Sequence, residues 1–447
     1  MFKRLLSSSS PRTAKAKKNV IVSLGVKGIS ILISLAFVPL LLSNLNTERY
    51  GIWLTLTSVL SWMSFFDIGL GNGLKNQLAS CFANNDLNGA RKAISTAYLS
   101  MGIITCINIV VFIIVSNYIN WDVFLNSPIS MRGELKVLVT CVVCFFFIQL
   151  WLNLICTILD SLQMPSLTGI ISTFGQLLAF ILVFAVSRID NQATLLIYGI
   201  CISISPVVVI AISTALIFFK TSRHLAPSFK LYDKTLVKRM FSLGAKFLLI
   251  QLTAIMLYQT NNFVIAHIVG NSDVTYYNIA FKYAGIIQMI FTIIISPIWV
   301  ASADAYTKGD ILWIKNIINK LNKIWLLFFF ISIILVLAAP YVYELWLGKD
   351  IKIDPVTTSL LFVYFLLSMK NGIYCNIING FGKITLQFYL TAIEVVIHIS
   401  LSIILGKILG SNGVIISMCL IMLLNYIWMP LQCNRILNGT AKGIWNK

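Results

Sequence analysis

The sequence predicts an all-α polytopic membrane protein of about twelve transmembrane helices, arranged as two six-helix bundles related by a parallel pseudo-two-fold repeat. Three observations predict it: runs of apolar residues, the placement of positive charge, and an internal match between the two halves. Of the 447 residues, 58% are hydrophobic and only 11% charged, with a mean hydropathy of +0.88. A soluble domain carries about 25% charged residues. This chain could not present such a surface.

Runs of roughly 20 apolar residues match the hydrocarbon thickness of a bilayer. They fall at 20–43, 51–68, 93–117, 135–157, 166–186, 194–219, 241–268, 275–301, 322–343, 355–377, 385–406 and 412–434. They are too long and too continuously apolar for barrel strands, so helices are the expected spanning element.

The net charge of +19 comes from 34 Lys and Arg against 15 Asp and Glu. With the N-terminus inside, the cytoplasmic pieces hold 24 basic residues, among them six in the tail 1–18, six in loop 220–239, and Lys370 and Lys383. The opposite side holds seven: Arg49, Arg132, Lys136, Arg188, Lys349, Lys352 and Lys407. Such asymmetry is the positive-inside signal, so both termini are expected in the cytoplasm and no nucleic-acid partner is expected. The Ser-rich basic start reads as a cytoplasmic tail rather than a transit peptide. Nine cysteines, mostly inside apolar runs, read as small hydrophobes.

Loop 220–239 divides the chain into an N-terminal bundle, 1–219, and a C-terminal bundle, 240–447, with the loop as a cytoplasmic linker. Ser23-Leu-Gly-Val-Lys27 returns as Ser242-Leu-Gly-Ala-Lys246, and Ile155-Cys-Thr-Ile158 as Tyr374-Cys-Asn-Ile377, both at an offset of 219 residues. Six helices per half bring the chain back to its starting side. Architecture of this kind belongs to transporters working by alternating access. The short outer loops leave no room for a catalytic domain, and the chain is not expected to be an enzyme.

Ionisable groups at membrane depth are costly and usually face a cavity. Lys27 and Lys246 lie at matching depths of spans one and seven, with Gly25 and Gly28 expected to seat Lys27 against a neighbouring helix. Lys282 lies inside span eight and Arg49 at the outer mouth of span two. Together these four are candidates for binding an anionic substrate; the competing reading is snorkelling of long side chains to the headgroups. Glu394 and His398, four residues apart in span eleven, share a helical face and are candidates for ion coupling, against the plainer reading of a locally satisfied pair. Asp67, before Gly69, Gly71 and Gly73, is a third coupling candidate and a candidate helix cap. Asp160 and Asp304 read as structural. No histidine or cysteine spacing proposes a metal site. Trp53, Trp62, Trp121 and Trp346 are expected in the interfacial belts.

Two stretches carry a family resemblance. Glu48-Arg-Tyr-Gly-Ile-Trp53 with Asp67-Ile-Gly-Leu-Gly-Asn-Gly-Leu74, and Tyr258-Gln-Thr-Asn-Asn262 with Val274-Thr-Tyr-Tyr-Asn278, resemble the polysaccharide-repeat flippases, the O-antigen (Wzx-type) exporters. That family sits in a superfamily with multidrug antiporters and the peptidoglycan-precursor flippase. The resemblance implies a flippase for an oligosaccharide repeat on undecaprenyl diphosphate, crossing the bacterial inner membrane from inner to outer leaflet. It implies membrane lipid and polysaccharide polymerase or assembly proteins as partners, no cofactor, and a proton or sodium gradient as the driving force. Asn261 stands where relatives often carry Asp, which puts ion coupling at that position in doubt. The alternative is an ion-coupled multidrug antiporter of the same superfamily. That reading would need acids in the cavity, whereas deep in the spans the count is three Lys and one Glu.

Overall fold

The computed structural model describes residues 11–64, 69–162, 164–189, 194–221, 223–295 and 298–446, with the backbone alone over 242–255. Among the described residues every regular element is helical. In the first half these are α1 (Pro11–Leu42), α2 (Thr47–Met63), α3 (Leu70–Ala83), α4 (Leu87–Ser116), the single turn α5 (Trp121–Phe124), α6 (Arg132–Leu152), α7 (Leu154–Ser161), α8 (Pro165–Ile189) and α9 (Leu195–Leu216). The second half has α10 (Lys234–Ile268), α11 (Asn271–Ile295), α12 (Ile298–Thr307), α13 (Ile311–Leu347), α14 (Pro355–Phe381), α15 (Thr385–Leu409) and α16 (Ser411–Leu437).

Ten of the twelve expected spans fall largely on one helix each; 135–157 covers α6 and α7, and 275–301 covers α11 and α12, with 296–297 outside the described residues. Ten described segments are long and apolar enough to cross a membrane. The 17-residue α2 and the 35-residue α10, whose side chains are described only in part, complete the twelve.

The halves repeat in detail that the sequence match did not reach. At the start of α4, Asn85 adopts a left-handed φ of 54° and the Asp86 carboxylate accepts from the Gly89 N–H at 2.8 Å. At the start of α13, Gly309 adopts φ 71° and Asp310 accepts from the Trp313 N–H at 3.0 Å. The same tight turn and the same N-cap therefore open the third span of each half. Asn and Gly are the residues that enter this backbone region at least cost, so the geometry persists where the letters differ.

The chain divides into two compact units, residues 1–46 with 59–252, and residues 47–58 with 253–447. Residues 47–58 of α2 thus belong with the second unit, and the first part of α10 with the first.

In the first unit, Leu70, Leu74 and Leu78 recur every fourth residue on α3. They pack with Ala90, Ala93 and Ala97 of α4 and Ile155 and Ile158 of α7 in one buried cluster. Small residues matter here because lipid tails are as apolar as Leu. Helix association in a membrane depends on close packing rather than on the hydrophobic effect. Gly73 shows the requirement: a Cβ there would overlap the Met240 backbone carbonyl.

The 220–239 linker is docked over much of its length. Arg91 Nε donates to the Ala226 carbonyl at 3.0 Å, the Ser228 N–H to Ser95 Oγ at 3.0 Å and the Asp233 N–H to Thr96 Oγ1 at 3.1 Å. Lys92 Nζ lies 2.7 Å from Asp233. The ammonium and the Thr235 hydroxyl hold the Asp233 carboxyl well below the ordinary carboxylate range. Between α4 and α6, Arg132 at the start of α6 binds the buried Asp122 through two bonds of 3.0 Å and lowers its pKa in the same way.

Three expectations are corrected. Gly25 and Gly28 have open space around them, so they seat Lys27 against no neighbour among the described residues. Trp53 and Trp121 are buried in protein rather than lying in an interfacial belt; Trp121 Nε1 donates to Ser116 at 2.9 Å. Lys370, tallied with the cytoplasmic charges although it falls in the apolar run 355–377, lies within α14, which continues eleven residues beyond it to Phe381.

Candidate functional site

Polar side chains concentrate inside the second unit, where three stripes meet. On α15, Glu394, His398 and Ser402 recur every fourth residue and are all buried, while Ile393 and Val396 beside them are exposed. On α16 the buried polar positions include Ser417, Asn425 and Gln432, with Trp428 three residues after Asn425. The third stripe is the adjacent pair Asn261 and Asn262 of α10. A polar group buried without a partner costs about 1–3 kcal/mol, so each demands a hydrogen bond.

The two stripes of α15 and α16 pair antiparallel. Ser402 Oγ lies 2.7 Å from Ser417 Oγ, and Ser417 Oγ lies 2.7 Å from His398 Nδ1. One turn along, Asn425 Nδ2 and Trp428 Nε1 donate to the two carboxyl oxygens of Glu394 at 3.1 and 3.4 Å. The imidazole then reaches across to α10, where His398 Nε2 lies 2.9 Å from Asn261 Oδ1. An amide oxygen only accepts, so Nε2 carries a proton. In the neutral ring Nδ1 accepts from Ser417, and Ser417 accepts from Ser402. The result is a directed chain, Ser402 to Ser417 to His398 to Asn261, with the histidine as its titratable member.

Asn262 turns the other way. Its Nδ2 donates to Ser58 Oγ at 2.7 Å, and its Oδ1 accepts from Asn278 Nδ2 at 2.8 Å. Next to it, Thr275 Oγ1 donates to the Thr47 carbonyl at 2.7 Å. A Cβ on Gly51 would overlap the Asn271 backbone carbonyl, so α2 and the start of α11 touch backbone to backbone. The stretches 48–53, 258–262 and 274–278, far apart in sequence, thus converge inside one unit.

The structure places the sequence-predicted residues as follows. Glu394 and His398 are buried within 394–425 and 398–417 contacts, each with partners of its own, and Asn261 joins the histidine. Lys27 sits exposed on α1. Lys282 on α11 and Arg49 on α2 are half-buried. Lys246 lies on α10 in the stretch described by backbone alone, and it falls with Lys27 in the first unit. Asp67 lies outside the described residues. Asp160 accepts from Thr168 at 3.0 Å and pairs with Lys75 at 3.6 Å, and Asp304 pairs with Lys308 at 2.7 Å; both are structural contacts. Ser402, Ser417 and Asn425 were not singled out from sequence, and Asn262 and Asn278 only as parts of the two stretches that carry the family resemblance. The signal that could have found Ser402 was its four-residue spacing from His398.

Comparison with known proteins agrees with this architecture. A putative O-antigen transporter of Salmonella typhimurium is 22% identical over 417 residues, covering 89% of this chain and 92% of its own. A putative O-antigen export protein of Yersinia pseudotuberculosis is 23% identical over 372 residues, covering 80% and 82%. Among solved structures, the inward-facing conformation of a multidrug resistance MATE family transporter of the MOP superfamily superposes with a TM-score of 0.76 at 15% identity, over 95% of this chain and 100% of the other. The outward-facing conformation of such a transporter gives 0.63 at 16% identity, over 98% and 99%. At these identities the structures speak to the fold alone. The model of the family described as polysaccharide biosynthesis protein matches residues 16–300, well over half of the sequence, and the chain belongs to that family.

Proposed function

We propose that this protein is a flippase that carries an oligosaccharide repeat unit on undecaprenyl diphosphate from the inner to the outer leaflet of the bacterial cytoplasmic membrane by alternating access. The observation that carries the proposal is the similarity to O-antigen transport and export proteins over four-fifths or more of both chains. Those relatives are named as transporters, and transport rather than catalysis is the activity proposed.

The physical problem is to bring a diphosphate across a low-dielectric layer. Fixed cations in a wet passage offset part of the desolvation cost, while the prenyl tail stays in lipid. In this reading Lys27 and Lys246 receive the head group, and Lys282 and Arg49 hold it after reorientation. A lysine suits phosphate as a compact point charge. The buried Glu394 and His398 serve as proton carriers that drive the cycle, with Asp67 as a further coupling candidate. Both termini and the 220–239 linker lie in the cytoplasm, consistent with the distribution of basic residues.

The test is to delete the gene and determine which lipid-linked glycan accumulates on the inner face. Loss of surface glycan with accumulation of its undecaprenyl-linked repeat is the expected outcome. Unaltered surface glycan with new sensitivity to cationic drugs would put the multidrug antiporter in its place.

A further inference from the structure

Lys370 stands eleven residues before the end of α14, about 16 Å along a helix that rises 1.5 Å per residue. Its surroundings are built rather than open. The Nζ donates to Asn322 Oδ1 at 2.9 Å and sits over the Trp325 ring, 4.5 Å from its centroid. Both partners belong to α13. The indole is itself held, since Trp325 Nε1 donates to the Leu366 carbonyl at 2.8 Å.

Each of these partners is neutral. The ion pairs among the described residues lie elsewhere, at Lys75, Lys92, Arg132, Lys308 and Lys349. The ammonium has three N–H donors; the amide takes one and the ring face a second. The side chain remains half-buried, so the third donor is not sealed from an incoming group. Snorkelling would send the amine away from the helix pair toward water. Here it is turned onto a fixed ring and a fixed amide, which hold it in place and bring no opposite charge to it. A positive charge held this way beside neutral partners is stabilised most by an anion.

We infer that Lys370, seated on Trp325 and Asn322, binds a phosphate-ester anion. Two sources supply that chemistry: the diphosphate of the transported lipid, which rests on the transport reading above, and the phosphodiester of an anionic phospholipid, which does not.

The experiment uses the full chain, purified into phosphatidylcholine nanodiscs and titrated separately with undecaprenyl diphosphate and with phosphatidylglycerol. Bound lipid is measured for wild type, K370Q and K370R. We expect K370Q to weaken binding of at least one anionic lipid by about tenfold or more and K370R to stay within about threefold. W325L should lose affinity for the same lipid, because the ring orients the amine. If K370Q does not remain monodisperse, K370M poses the same question with an apolar side chain of similar length. Equal binding of both lipids by wild type and the uncharged variant overturns the site, and leaves the flippase reading standing if undecaprenyl diphosphate binds. Lys370-dependent binding of phosphatidylglycerol, with no binding of undecaprenyl diphosphate by wild type, supports the site and counts against the flippase reading instead.

Discussion

His398 and Asn261 meet across 137 residues of sequence, with Nε2 of one 2.9 Å from Oδ1 of the other. That bond ties α15 to α10, and the ring's second nitrogen ties it to Ser417 of α16. One side chain therefore joins three helices of the second unit.

Replacing His398 with Ala should remove the ring's bonds to Asn261 Oδ1 and Ser417 Oγ. A hydrogen bond contributes about 0.5–1.5 kcal/mol, so the melting temperature in detergent should fall. Ser402→Ala, at the donating end of the chain, should cost less than half as much. Melting of His398→Ala at the wild-type temperature would refute the network.

Glu394→Gln should abolish the pH dependence of transport in reconstituted vesicles if the carboxyl carries protons. The amide retains one acceptor oxygen toward Asn425 and Trp428, so folding should survive the change. A pH profile identical to wild type would leave Glu394 with only its structural hydrogen bonds.

For the symmetric lysines, Lys27→Arg and Lys246→Arg should retain much activity, whereas Ala at either should lose about ten- to a hundredfold, the value of a charge-assisted hydrogen bond of roughly 1.5–3 kcal/mol. Surface-glycan rescue in a deletion strain, with membrane levels checked by blot, gives the measurement. Full rescue by the double Ala variant at normal abundance would count them as snorkelling side chains.

Gly51→Ala should be poorly tolerated, because its methyl group would overlap the Asn271 backbone, which cannot swing aside like a side chain. Overpacking costs about 1–3 kcal/mol or more. Gly25→Ala meets open space on an exposed helical position, and should match wild type in abundance and melting temperature.

The linker gives a pH prediction. Asp233 has a folded-state pKa depressed by Lys92 and Thr235, so its stabilising contribution is present above the unfolded value of about 3.9. It is lost as pH falls from there toward the folded value. Limited proteolysis at 223–233 should be slow at neutral pH and faster under acid. Asp233→Asn should show the faster rate already at pH 7; equal rates for variant and wild type at pH 7 would show that the ion pair does not hold the linker down.

Helix number, and the fold class that follows from it, could be read from sequence because both depend on a property accumulated along the chain. A run of apolar residues long enough to cross a bilayer is visible in one dimension, as is the distribution of Lys and Arg. That Glu394 and His398 lie on one helical face was equally legible, since positions four apart on a helix share a face. What those residues touch was not. Asn261 appeared as a lost acid and proved to be the partner of His398. Residues 47–58 of α2 joined the second unit although their sequence neighbours belong to the first. Lys370 was tallied with the cytoplasmic charges, and its partners Asn322 and Trp325 came from another helix. In each case the deciding contact lies between helices far apart in the chain, where packing brings groups within about 3 Å. Composition and spacing carry no record of that distance, because the bilayer selects for length and apolarity while the identity of a hydrogen-bond partner is settled by which helix faces come together.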